Sequence, residues 1–128
     1  MPPRAGAAKF MNGVPELLVL QLLSRREMYG YQIVAAVNES TGGAVNAGEG
    51  SIYPILHAMV RRKWLASRRA KHNGRPRIYY RLTDRGRTEL QAAAGRWAQI
   101  SSAVNRVLGT GGSDGQGQGD APPAPAAG

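Results

Sequence analysis

The sequence predicts a mainly α chain with one β-hairpin: a winged helix-turn-helix followed by a long C-terminal helix. Three observations carry this expectation. Residues 48–64, GEGSIYPILHAMVRRKW, place Ile52, Ile55, Leu56, Met59 and Val60 at three- and four-residue steps, the spacing of one buried helix face. Asn73-Gly74 separates two strand-like runs, and a two-residue type I′ turn needs the positive φ that this pair tolerates. Eleven of the 17 Lys and Arg residues fall within residues 61–87, where Asp84 is the only acid.

The elements follow in order. Residues 1–12 are rich in Pro, Ala and Gly and carry two cations, as a flexible N-terminal arm would. Residues 13–24, GVPELLVLQLLS, are apolar nearly all round, so they predict a helix buried on most faces, with Pro15 and Glu16 in its first turn. Residues 28–40 predict a second helix with Ile33, Ala36 and Val37 toward the core, stopped by Thr41-Gly42-Gly43. Residues 44–47 are a short link into the third helix, residues 48–64. There Pro54 falls in the first turn, where an N–H has no intrahelical partner to lose. Residues 66–71 and 77–82 form the arms of the hairpin, and Pro76 suits a strand start or edge. Residues 83–108 predict a long helix with Thr83 as N-cap and Leu90, Ala94, Trp97, Ile100 (or Ser101), Val104 and Leu108 on one side. So small a domain leaves much of that helix uncovered, and a second copy is the expected cover. Gly86 and Gly95 are read as close-approach points of that seam. Residues 109–128, with seven Gly and three Pro, are too poor in apolar bulk to order and predict a disordered tail.

Bulk properties narrow the function. A chain of 128 residues predicts one domain, and a net charge of +9 clustered as described points to a polyanion: nucleic acid first, an anionic membrane second. There is no cysteine and there are two histidines, so no metal site and no cofactor is expected. No run reaches the ~18 apolar residues of a membrane span, and the stretch after Lys9 lacks a cleavage site; a cytoplasmic protein is expected. No nucleophile–base pair or phosphate-cradling loop suggests an enzyme.

A helix anchored by one face, with Ser51, Pro54, His57 and Arg61 on the other, suits the DNA major groove. The bland alternative is an ordinary amphipathic surface helix. The hairpin that follows it carries Lys71, His72, Asn73, Arg75 and Arg77 at its tip, the composition of a wing that reaches phosphates or a minor groove. Tyr29, Tyr31 and Gln32 open the second helix, where groups can be offered to a phosphate, or where tyrosines simply pack half-buried.

Five stretches in order make the chain resemble the PadR family of winged-helix regulators over roughly residues 15–108. They are Glu16-Leu17-Leu18-Val19-Leu20, Tyr29-Gly30-Tyr31-Gln32, Gly50-Ser51-Ile52-Tyr53-Pro54-Ile55-Leu56, Gly74-Arg75-Pro76-Arg77 with Tyr79-Tyr80-Arg81-Leu82-Thr83, and Gly86-Arg87. The single C-terminal helix is similar to that of the family's small subclass. The resemblance implies a homodimeric repressor of its own or a neighbouring gene, often a transporter gene. It would bind a pseudo-palindromic operator in double-stranded DNA and be relieved by a small effector. It places Ser51, Tyr53 and Pro54 at the major groove, Tyr29 and Tyr31 near phosphates, and Arg75 and Arg77 in the wing. Trp97, beside the small residues Ala93 and Ala94, resembles the aromatic that in some small members stacks on planar ligands across the twofold axis. The alternative is a plain interface anchor. A different class of function also fits the composition: a winged-helix module docking an acidic protein or RNA.

Overall fold

The structure is a computed structural model that describes residues 13–110. The expected arm and all but the first two residues of the expected tail lie outside the described residues. The described chain runs α1 (Val14–Leu23), β1 (Met28–Tyr29), α2 (Gly30–Ser40), α3 (Glu49–Arg61), β2 (Leu65–His72), β3 (Arg75–Leu82) and α4 (Asp84–Leu108). It divides into two units between Gln91 and Ala92.

The first unit is a three-helix cluster packed on a small sheet. Leu20, Ile33, Ile52 and Leu56 are each no more than 1% exposed, so α1, α2 and α3 each place large aliphatic side chains in one core. Each such side chain contributes roughly 1.5–3 kcal/mol by leaving water. α1 buries Val19, Leu20, Leu22 and Leu23, as its near-continuous apolar run requires.

The sheet is antiparallel in the order β1–β3–β2. Asn73 (φ 54°) and Gly74 (φ 77°) both occupy the left-handed region, so the hairpin closes through the two-residue turn expected from sequence. The turn fixes the register: His72 opposes Arg75, Lys71 opposes Pro76, and Arg68 opposes Tyr79. Pro76 is tolerated because β1 is only two residues long and pairs with Tyr79 and Tyr80, leaving that edge of β3 free beside the proline.

Four expectations are corrected. Residues 28 and 29 are strand, not helix: Tyr29 is extended (φ −90°, ψ 166°), and its N–H donates to Gln32 Oε1 at 3.0 Å, so the helix begins at Gly30. Met28 and Tyr29 instead cover part of the edge of β3 that β2 leaves open. The third helix stops at Arg61, short of Trp64. Trp64 N–H bonds Met59 C=O (2.9 Å) and Lys63 N–H bonds Val60 C=O (3.0 Å), a Schellman ending that holds Lys63 at φ 67°. Gly86 serves a contact within its own chain: a β-carbon there would strike the backbone carbonyl of Trp64. Pro54 lies inside α3 rather than in its first turn, so the helix goes without the hydrogen bond that an N–H there would give the Gly50 carbonyl.

The second unit is the remainder of α4. Trp97, Ile100, Val104, Val107 and Leu108 recur at helical spacing and are all exposed, Val107 at 87%. The helix ends as Gly109, at φ 75°, and Thr110 return their N–H groups to Arg106 and Asn105. Among the described residues no helix is long and apolar enough to cross a membrane.

Candidate nucleic-acid interface

α3 is oriented by the turn that precedes it. Asn38 Nδ2 donates to Val34 C=O (2.9 Å) and to Ala47 C=O (3.0 Å), tying α2 to the residues leading into α3. Thr41 Oγ1 donates to Val37 C=O (2.9 Å) and accepts from Val45 N–H (3.1 Å). With Ile52, Leu56 and Met59 buried, the opposite face is set: Ser51, Pro54, His57 and Arg61 are all exposed, one turn apart. This is the stripe that the periodicity predicts.

Tyr53 lies at the edge of that stripe and is half-buried. Its ring packs against Gly30 at the start of α2, where an added β-carbon would come within 2.9 Å of Cε1 and 3.0 Å of the hydroxyl. Burial, and then the charge of Glu49, push the Tyr53 phenol above its ordinary value, while Arg77 opposes them. The hydroxyl therefore stays protonated near neutral pH and can donate.

The wing is a cationic sheet with an aromatic centre. Tyr29 stands in edge contact with Tyr79 (5.5 Å between centroids, 76°) and in tilted contact with His72 (5.3 Å). Arg77 lies over the Tyr29 ring at 4.8 Å, and Arg68 over the Tyr79 ring at 5.0 Å. Arg68 is also held by Glu27, Nε to Oε2 at 2.8 Å and Nη2 to Oε1 at 2.6 Å. The Arg68 hydrogen bonds hold the Glu27 carboxyl below its ordinary value. This two-pronged pair joins the loop before β1 to β2, so the wing is fastened to the helices at its base while Lys71 and Arg75 stay exposed near its tip.

Between α2, α3 and the wing lies an open pocket of about 270 Å³, bordered by Tyr29, Tyr31, Tyr53, His57, Pro76 and Arg77 among others. Arg77 Nε borders no acceptor among the described residues although it is closed from solvent. The structure thus gathers Tyr29, Tyr31, Tyr53, His57 and Arg77 at one pocket. Ser51, Pro54 and Arg61 continue along α3, and Lys71 and Arg75 extend along the wing. Trp97, Ala93 and Ala94 belong to the second unit; among the described residues Trp97 is 50% exposed and Ala94 is exposed.

Sequence reasoning missed the Glu27–Arg68–Tyr79–Tyr29–Arg77 ladder. Part of it was available: the Asn73-Gly74 turn fixes Arg68 opposite Tyr79 by counting outward. Tyr29 could not be added, because β1 carries no strand signal of its own.

Three helices, an exposed polar stripe on the third and a basic hairpin define a winged helix-turn-helix DNA-binding protein. Known proteins agree. The model of the transcriptional regulator PadR-like family matches residues 19–92. A PadR-like transcriptional regulator from Bacillus cereus is 33% identical, with a TM-score of 0.68 over 78% of this chain and 96% of that one. PadR family regulators from Eggerthella lenta (26% identity, TM-score 0.69, 82% and 90% covered) and Clostridium difficile (27%, 0.66, 73% and 97%) are also similar. The chain belongs to the PadR-like family of transcriptional regulators; it is a DNA-binding regulator and not an enzyme.

Proposed function

We propose that the protein is a homodimeric repressor that binds a pseudo-palindromic operator near its own gene or a neighbouring gene, transporter genes included. α3 enters the major groove, where Ser51, Tyr53 and His57 read bases and Pro54 allows close approach. Arg61, Lys71, Arg75 and Arg77 hold phosphates, joined by the hydroxyls of Tyr29 and Tyr31. Residues 13–83 form the DNA-binding part and residues 84–108 the dimerisation helix. The observation that carries this reading is the exposed stripe Ser51, Pro54, His57, Arg61, which meets at His57 the pocket where Arg77 has an N–H without an acceptor.

Dimerisation is supported by the uncovered apolar stripe Trp97, Ile100, Val104, Val107, Leu108, which a second copy of α4 would cover. In such a dimer Trp97, with Ala93 and Ala94 beside it, offers a face to a planar aromatic effector that lifts repression.

The test compares two substitutions on the upstream duplex and on a shuffled one. Arg75→Ala weakens both duplexes alike, because a phosphate contact carries no sequence information. Ser51→Ala narrows the difference between them by roughly 1 kcal/mol, the worth of one hydrogen bond. If Arg75→Ala left binding to the shuffled duplex untouched, the wing would not be the phosphate clamp.

A further inference from the structure

A second concavity, of about 230 Å³, adjoins the exposed stripe of α3 at Pro54 and is bordered by Glu16 of α1, by Pro54, Ile55, Met59 and Arg62 of α3 and its end, and by Trp64. Two features separate it from an ordinary surface hollow. Glu16 Oε1 is closed from solvent yet has no hydrogen-bond donor among the described residues, an uncompensated position for a carboxylate. The Trp64 ring, in turn, already carries a planar cation: the guanidinium carbon of Arg62 stands 5.1 Å from its centroid. Arg62 is exposed, so it can leave for solvent without loss of core contacts.

We infer that this pocket is a binding site for a small planar organic cation of the aromatic amidine class. The ligand stacks on the Trp64 face in place of Arg62, sets its ring against Ile55 and Met59, and donates N–H groups to the Glu16 carboxylate. Rotation about the last side-chain bond of Glu16 turns either oxygen to the ligand, since that torsion is broad and twofold. Apolar walls with one or two converging polar groups are the usual makeup of a small-molecule site, and the volume suits one aromatic ring with its head group. An anion is disfavoured by the Glu16 carboxylate. The site is independent of Trp97 and is tested without DNA.

The experiment uses the full chain and benzamidine as probe, with benzamide as its neutral counterpart. The two indole N–H resonances are assigned from Trp64→Phe and Trp97→Phe. Benzamidine is expected to shift the Trp64 indole in a saturable way, and benzamide is not. Glu16→Leu weakens the benzamidine response about tenfold or more, through loss of a charge-assisted contact. A cooperative thermal melt and an unchanged Trp97 indole resonance show that the variant folds. Arg62→Ala tightens binding severalfold by removing the competitor for the ring. The inference is overturned if benzamidine leaves the Trp64 resonance unmoved into the millimolar range, or shifts only Trp97. It is equally overturned if Glu16→Leu does not weaken the response, or if Arg62→Ala weakens it.

Discussion

Gly30 and Tyr53 meet face to face: a β-carbon on Gly30 would stand 2.9 Å from Cε1 of the Tyr53 ring. The first residue of α2 and the helix α3 are thus seated on each other through a contact that has room for no side chain. Gly30→Ala therefore forces Tyr53 or the helix pair to move, at a cost of about 1–3 kcal/mol, in the range of other overpacked sites. Urea denaturation of Gly30→Ala, Tyr53→Ala and the double variant measures it. The double variant recovers much of what Gly30→Ala alone loses, a coupling that only direct contact produces.

The Glu27–Arg68 pair sets an acid limit on the wing. Glu27 is held below its ordinary value by the hydrogen bonds from Arg68, so its contribution is complete above the unfolded-state value. That contribution is lost as pH falls through the lowered folded-state value. Amide protection along β2, measured relative to the intrinsic exchange rate at each pH, should be high at neutral pH and fall on acidification. In Glu27→Gln protection should be lower already at neutral pH, with less acid dependence. Equal protection in the two proteins at neutral pH would deny the pair its fastening role.

The two glycines of α4 separate cleanly. Gly86→Ala sets a methyl group against the Trp64 carbonyl, a backbone atom that cannot yield cheaply, and costs more than about 3 kcal/mol. Gly95→Ala meets nothing within 4 Å and gains roughly 1 kcal/mol of helix propensity. Thermal melts of the pair check both signs. A fall in melting temperature for Gly95→Ala would reveal a second chain approaching that position.

The exposed stripe of α4 predicts the assembly. Val104→Asp places a charge where the proposed seam is apolar, and sedimentation should then report a monomer in place of the wild-type dimer. A wild-type protein that sediments as a monomer at micromolar concentration would remove the dimer from the account.

Much of the fold was legible because its signals are local. The 3.6-residue recurrence of Ile52, Leu56 and Met59 fixes which face of α3 is buried, and hence which is free. Asn73-Gly74 fixes the turn and, with it, the whole register of the hairpin. What escaped is non-local. The two-residue strand Met28–Tyr29 exists only because β3 leaves an edge to cover. The position of Gly86 against Trp64 follows from how β2 begins beside the start of α4, where Thr83 Oγ1 bonds the carbonyls of Lys63 (2.6 Å) and Trp64 (3.0 Å). A glycine in a helix carries the same sequence signal whether its neighbour is its own chain or another. The site divides likewise: Ser51, Pro54, His57 and Arg61 are readable from periodicity, whereas the seating of Tyr53 on Gly30 and of Arg77 on Tyr29 needs the tertiary structure.

The most direct test of the central claim is fluorescence anisotropy of the purified protein on its upstream duplex and on a shuffled duplex across a salt series. With 6–10 phosphates neutralised by two protomers, affinity should fall roughly 10³–10⁵-fold between 50 and 200 mM salt, while preference for the upstream duplex persists. A nearly flat salt dependence, or equal affinity for both duplexes and for unrelated RNA, would contradict a sequence-specific operator-binding dimer.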